Sequence, residues 1–538
     1  MGLLNVGLLT VFQLSLCLGV FAADPIVDLG YAQYQGVVNT QLNVTNFLGV
    51  RYAAAPVGNL RWAAPQVPPT VSDVQQATSE PNECYQAGLG SSSTNPLTAA
   101  KKRDVSQSED CLFLNVHVPG PTVNAVSSGG HPVVVWIHGG GYVGGSASGY
   151  DGSSLVFQSQ NSAIVVVIQY RLGLFGFLPG AAVESGGVLN AGLLDQNFAL
   201  QWVQAHMSKF GGDPTKVTIW GQSAGAGSVL QHVVANGGNT QPALFTTALT
   251  SSTYLPPQYN YNDLCFLLDE MLSLMLGQCS CSSSSDTLSC LRSADTGTLS
   301  NVNNQIESNG LYGTATFVPV VDGTFIIERP TVTLGKGKHN GQALYSVTNL
   351  NEGNQFVQKS LTMSASQYIS QMFPNIKASE ADSLAALYAD FGTNVDQAIA
   401  GMSEAIIVCP TYYLMKAFGN NAWKGEFTVS PATHGSDIGY YFTTSTSQIA
   451  VAFSESFLAM VTSGNVVNKY NLADDLPSSW SNWASGDTEM VFNTMSDGSS
   501  DLYTLTTDSG LLNRCAYVPV SSLFLARALA DRDIAVLG

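Results

Sequence analysis

Apolar residues in this chain gather into short runs that are hydrophobic at every position rather than at every second one. Pro132-Val133-Val134-Val135-Trp136-Ile137 and Ala163-Ile164-Val165-Val166-Val167-Ile168 are the clearest cases. A strand that buries one face alternates apolar with polar, so a run with no polar position predicts a strand covered on both faces, inside a sheet. Phe47-Leu48-Gly49-Val50-Arg51-Tyr52, Leu112-Phe113-Leu114-Asn115-Val116-His117-Val118, Lys216-Val217-Thr218-Ile219 and Leu344-Tyr345-Ser346-Val347-Thr348 read as further strands. Between them, Leu193 to Val203 carries apolar residues near helical spacing and is ended by Phe210-Gly211-Gly212-Asp213-Pro214, while Ala224 to Val234 has the small and apolar residues of a packed helix. Strand, helix, strand in this rhythm predicts an α/β fold with a mainly parallel sheet.

Met1 to about Ala22 is an apolar run of another kind. It closes on Val20-Phe21-Ala22, a small-residue cleavage pattern, and predicts a secretory signal cut after Ala22 or Ala23. No Lys or Arg precedes the apolar stretch, so a membrane anchor is the alternative. Residues 23–538 show no linker, repeat or long low-complexity segment, which predicts one large domain. No later stretch approaches about 20 uninterrupted apolar residues, so no stable membrane insertion is expected after cleavage. The 38 acidic and 20 basic residues give a net charge of −18, which argues against nucleic acid, an anionic membrane or a polyanionic substrate as partner.

Nine cysteines become eight once Cys17 leaves with the signal, and an even number in an exported chain predicts disulfides. Zinc is the competing reading of Cys279-Ser280-Cys281, but the Cys/His pattern of a zinc site is missing nearby, and no metal or cofactor is expected. Asn43-Val44-Thr45 is a possible glycan site in an extracellular protein.

The chemistry centres on Trp220-Gly221-Gln222-Ser223-Ala224-Gly225, a G-x-S-x-G turn between a buried strand and a helix. Reversal within two residues strains the serine backbone, glycines leave room for close approach, and the helix N-terminus points at any negative charge forming near Ser223. His138-Gly139-Gly140-Gly141-Tyr142 follows another strand, and consecutive glycines can converge their N–H groups on one oxygen, as acyl transfer requires. A serine nucleophile needs a base, and the base an orienting carboxylate. With the order serine, acid, histidine, the candidates for the base are His232, His339 and His434. His232 lies on the helix after the turn, His339 sits in a mobile-looking basic loop, and His434 in Ser430 to Asp437 has the loop setting that a base needs. Glu352 at the turn after Leu344–Thr348 is the preferred acid and Asp322 in Val320-Val321-Asp322-Gly323 its rival; Asp437 follows the histidine, against the order.

These residues resemble the type-B carboxylesterase and lipase family, most closely its secreted fungal carboxylesterases. Phe210 through Gly225 resembles the family's serine signature and Glu109-Asp110-Cys111-Leu112-Phe113-Leu114-Asn115-Val116 its second signature, with Arg51-Tyr52, Leu60-Arg61-Trp62, Tyr170-Arg171, Gly192 to Gln196, Asn351-Glu352-Gly353 and Thr433-His434-Gly435 in family order. The resemblance implies an α/β-hydrolase fold, a large mostly parallel central sheet flanked by helices. It implies Ser223, Glu352 and His434 as a catalytic triad and the N–H groups of Gly140, Gly141 and Ala224 as an oxyanion hole. It also implies ion pairs Arg61–Glu109 and Arg171–Asp195 and, by family spacing, disulfides Cys84–Cys111 and Cys281–Cys290. Cys409–Cys515 and Cys265–Cys279 follow only by elimination, and four cysteines admit three pairings. Gln222 stands where cholinesterases carry glutamate, which argues against a choline ester.

The function implied is a secreted carboxylic ester hydrolase working through an acyl-enzyme on small-molecule or lipid esters. The alternatives are a lipase or sterol esterase acting on long-chain esters, and a non-catalytic binding module on the same scaffold, which the complete triad disfavours. Between Cys84 and Cys111 the chain is rich in Ser, Gly, Ala and Thr, and its few large apolar residues, Leu89, Leu97 and Val105, predict an exposed loop too polar for an interfacial lid.

Overall fold

The computed structural model describes residues 25–90, 106–126, 129–263, 273–466 and 480–517. The expected signal, residues 91–105 of the polar loop and Cys265 lie outside the described residues. Eleven strands form one sheet: β1 Val37–Asn39, β2 Val44–Arg51, β3 Phe113–Pro119, β4 His131–Ile137, β5 Ile164–Ile168, β6 Gly212–Gln222, β7 Thr247–Ser251, β8 Ala343–Asn349, β9 Ala422–Phe427, β10 Thr488–Thr494 and β11 Ser500–Thr506. Their spatial order is β11-β10-β9-β8-β7-β6-β4-β5-β3-β2-β1. From β10 across to β5 every pairing is parallel. At the two edges the pairings turn antiparallel. A second, three-stranded sheet is built from Ile26–Asp28, Gln33–Gln35 and Val74–Gln76.

The uniformly apolar runs are the centre of the large sheet. Val133, Val135 and Ile137 of β4 and Ile164, Val166 and Ile168 of β5 enter one core, and Val134, Trp136, Val165 and Val167 enter the core on the opposite face. Every one of these side chains is fully buried, and full burial of a large aliphatic or aromatic side chain contributes roughly 1.5–3 kcal/mol. Six helices matter below: α1 Gly152–Gln158, α2 Ala191–His206, α3 Ala224–Gly238, α4 Thr296–Ser308, α5 Cys409–Phe418 and α6 Gln448–Ser463. α3 lies against β6 and β7, and its regular helical backbone ends at Val234. On the other face, Phe457 of α6 stacks on Trp220 of β6 at 4.3 Å between ring centres. A mixed sheet with a parallel centre and helices on both faces fits the α/β-hydrolase fold expected from the sequence.

Polar anchors fix the layers around the sheet. Arg61 and Glu109 meet through two charge-assisted bonds of 2.6 and 2.8 Å, and Arg171 and Asp195 through two of 2.7 Å. Both pairs are almost wholly buried. Disulfides join Cys84 to Cys111, Cys281 to Cys290, and Cys409 on α5 to Cys515 in the helix Ser509–Tyr517. Asn43 is exposed in a turn, at a φ of 55°, just before β2.

Candidate active site

Parallel strands deliver their carboxyl ends to one edge of the sheet, and the loops that leave this edge carry the chemistry. β6 ends at Gln222, and Ser223 turns the chain into α3 with φ 56° and ψ −125°, a backbone conformation that non-glycine residues rarely adopt. Such a turn has no space for side chains around it. A Cβ on Gly221 would meet the Gly225 carbonyl carbon at 2.3 Å, and one on Gly225 would meet the Ile137 oxygen at 2.0 Å. The serine N–H donates to Ser251 O at 2.9 Å, which ties the turn to the end of β7.

β8 ends at Asn349 and β9 at Phe427, and the loops beyond them are joined. Asn351 N–H donates to Ala432 O at 2.8 Å and its side-chain amide to Pro431 O at 2.9 Å, while Gln355 Nε2 donates to Thr433 Oγ1 at 3.0 Å. This stitching brings Glu352 to His434. Their contact is 2.6 Å between Glu352 Oε2 and His434 Nδ1, and His434 Nε2 lies 2.8 Å from Ser223 Oγ. Glu352 is fully buried and Ser223 and His434 nearly so. The other carboxylate oxygen, Oε1, accepts from Ser252 Oγ at 2.6 Å and Asn349 N–H at 2.7 Å. The ring of Phe356 meets that of His434 edge to face at 4.9 Å.

The remaining candidates are placed elsewhere. Asp322 is occupied by its own turn, accepting from Thr324 N–H and Ile326 N–H and, on its second oxygen, from Asn190. His232 is buried on α3, where Gln196 Oε1 sits 3.1 Å from its Nε2 and burial pushes its imidazole down to about 3. His339, expected in a mobile loop, is half-buried and stacked on Phe418 at 4.0 Å, because the aromatic face of α5 passes beneath that loop.

Gly139 to Gly141, leaving β4, lie against the serine turn. A Cβ on Gly139 would stand 2.6 Å from Gln222 O and 3.0 Å from Ser223 Cβ. Gly140 and Gly141 have φ of 110° and 65°, the left-handed region that favours glycine, and a side chain on Gly140 would strike Gly144 O at 2.3 Å. Ala224, the first residue of α3, puts the helix N-terminus on the same side as the serine.

Of four residues beside Ser223, His434 and Glu352, the sequence reading missed Ser252 and Asn349 and gave Gln222 and Asp437 no part in the site. Ser252 and Asn349 hold the carboxylate, Gln222 places its amide nitrogen 3.2 Å from His434 Nε2, and Asp437 is buried behind Glu352. Burial pushes the Asp437 carboxyl up to about 6, and the Glu352 charge adds to this against the hydrogen bond from Asn349 Nδ2. Gln222 and Asp437 stand next to residues that the sequence singles out, whereas Ser252 and Asn349 have no local signal. Among the described residues no cluster of His, Cys, Asp and Glu could hold a metal ion. Chemically, a serine hydroxyl that can pass its proton to an imidazole backed by a buried carboxylate is equipped to add to a carbonyl carbon.

Comparison with known proteins places this chain in a family. The family model described as the carboxylesterase family matches residues 23–468. A carboxylesterase of Aspergillus clavatus, patB, is 32% identical over 463 residues, covering 77% of this chain and 82% of its own. Secreted lipase 1 of Botryotinia fuckeliana is 34% identical over 334 residues, 59% of this chain and 57% of its own. The crystal structure of Aspergillus niger EstA superposes with a TM-score of 0.80 at 27% identity, covering 93% of this chain and 99% of that one.

Proposed function

The chain belongs to the carboxylesterase family and is a carboxylic ester hydrolase, and from that premise we propose that Ser223, His434 and Glu352 perform the hydrolysis through an acyl-enzyme. The observation that carries this reading is the continuous hydrogen-bonded line from Ser223 Oγ through both His434 nitrogens to Glu352. Ser223 Oγ attacks the ester carbonyl carbon while its proton passes to His434 Nε2. The carbonyl oxygen, now negative, is held by the N–H groups of Gly140, Gly141 and Ala224, each such donor being worth about 3–4 kcal/mol of barrier. Collapse breaks the bond to the alcohol, which leaves with the proton from His434. Water, deprotonated by the same nitrogen, then adds to the acyl-serine and releases the acid. Glu352, its second oxygen tied to Ser252 and Asn349, keeps the imidazole in the tautomer that faces the serine and stabilises the imidazolium.

The protein acts outside the cell in this reading, on small or moderately apolar esters. An apolar N-terminal run, three disulfides among the described residues and the likeness to a secreted fungal lipase support export, and the sequon at Asn43 is exposed where a glycan would attach. The same relative is named a lipase, which is what favours the second reading, long-chain lipid esters. The test follows the rate on tributyrin through its solubility limit beside soluble nitrophenyl esters. An esterase saturates below that limit. A sharp rise on emulsion formation, or a preference for long-chain triglycerides over soluble butyrates, would establish the lipase instead.

A further inference from the structure

The segment Gln86 to Gly90, just after Cys84, crosses directly over the oxyanion loop and is bonded to it. Gln86 makes a reciprocal amide pair with Gly145, Nε2 donating to its oxygen at 3.1 Å and Oε1 accepting from its N–H at 3.0 Å. Ala87 N–H donates to Val143 O at 2.8 Å. On the far side, Gly90 N–H donates to Thr314 O at 2.8 Å and Gly90 O accepts from Gly313 N–H at 3.3 Å. The fit is close enough that a Cβ on Gly90 would stand 2.3 Å from Leu311 O. Cys84, two residues before Gln86, is fastened to Cys111.

This strap leaves one large side chain over the site. A Cβ built on Gly141 would stand 2.7 Å from Leu89 Cδ2 and 3.8 Å from the Ala315 Cβ. The Leu89 methyl thus rests on the Cα of Gly141, with Ala315 beside it, and Leu89 is only 7% exposed. The Ala315 side is held as firmly. Glu307 of α4 accepts from Thr316 N–H at 2.7 Å and Phe317 N–H at 3.0 Å.

We infer that Leu89 is a specificity-determining residue of the hydrolysis, the wall that limits branching on the acyl side of the ester. The inference rests on the proposed roles of Ser223, His434 and Gly141. The leaving alcohol must lie against His434 Nε2 to receive its proton. A side chain that touches the oxyanion glycine instead, and is fixed there by bonds on both sides of its segment, therefore faces the acyl substituent. Substituents branched next to the carbonyl carbon meet Leu89 first, and the bonded strap does not let it step aside. A hydrophobic wall of this kind discriminates by roughly tenfold or more per misplaced carbon.

The experiment compares kcat/KM of the full chain for p-nitrophenyl 2,2-dimethylpropanoate and p-nitrophenyl acetate in Leu89→Ala, Leu89→Phe and Ala315→Leu. Each ratio is taken on one preparation, so a lowered folded fraction cancels. The branched-to-acetate ratio should rise about tenfold in Leu89→Ala and fall about tenfold in the other two. The ratio between two acetates that differ only in the alcohol should move by less than about threefold in each. An unchanged acyl ratio in Leu89→Ala, or in Ala315→Leu where Leu89→Ala does not fold, overturns the inference, as does an alcohol ratio that moves as far as the acyl ratio. Ser223→Ala runs alongside. If it abolishes turnover while the acyl ratios stay flat, the wall fails and the triad stands; if it retains turnover, the underlying reading fails.

Discussion

Removing the Ser252 hydroxyl tests how the carboxylate is held. Glu352 is fully buried, and its three contacts are Ser252 Oγ at 2.6 Å, Asn349 N–H at 2.7 Å and His434 Nδ1 at 2.6 Å. Ser252→Ala takes one of the two donors from Oε1 and also removes one of the two acceptors of Asn349 Nδ2, 3.1 Å away, leaving Asp437 Oδ1 as the other. A hydrogen bond to a charged group contributes about 1.5–3 kcal/mol, so stability should fall by about 2 kcal/mol. Turnover loses less than that figure converts to, because the bond holds Glu352 in the ground state as well as in the transition state, and only the difference enters the barrier. About 1.4 kcal/mol of differential loss corresponds to a tenfold drop in kcat. KM should stay within about twofold, since Ser252 touches the acid and not the ester. The assay is kcat and KM on nitrophenyl butyrate beside urea unfolding of the same preparations. Parental kcat together with a 2 kcal/mol loss of stability would refute the idea that the hydroxyl positions the carboxylate for catalysis.

Lys424 is fully buried, with Nζ 3.0 Å from Glu489 Oε2, and Tyr412 hydrogen-bonds the same carboxylate at 2.8 Å. Lys424→Met should cost about 3–5 kcal/mol in urea unfolding by leaving Glu489 charged and unpaired, and Lys424→Met with Glu489→Gln should cost less than the single change; a single-variant loss under about 1 kcal/mol would contradict this. Burial pushes the Glu307 carboxyl up from 4.5 to about 7. The folded state then keeps a proton that the unfolded chain has released, so this group's contribution to stability declines as pH rises from about 4.5 to about 7. Calorimetry between those limits should show a shallower fall of Tm in Glu307→Gln than in the parent, and equal slopes would refute the assignment.

Most of the scaffold was legible because its signals are local. Val133 to Ile137 and Ile164 to Ile168 have no polar position, and only a strand with both faces covered accommodates that. The serine turn was legible for a similar reason, since Gly221 and Gly225 stand where a Cβ would overlap backbone. The proposed acid was legible only in part. Glu352 and Asp322 both follow apolar runs, and what separates them is a loop-to-loop bridge, Asn351 to Ala432, and an Asx turn around Asp322. Neither is a property of the local sequence. Ser252 lies 100 residues from the carboxylate it serves and is brought there by the pairing of β7 with β8. The strap carrying Leu89 read as part of a polar exposed loop, because its order comes from bonds to two other segments rather than from apolar residues of its own.

The most direct test of the account is the turnover of nitrophenyl butyrate by Ser223→Ala, on protein that folds like the parent by circular dichroism. Members of such a triad act as a unit, so the account predicts a fall in kcat on the order of 10⁴ or more. Activity within about tenfold of the parent would place the nucleophile elsewhere and contradict it.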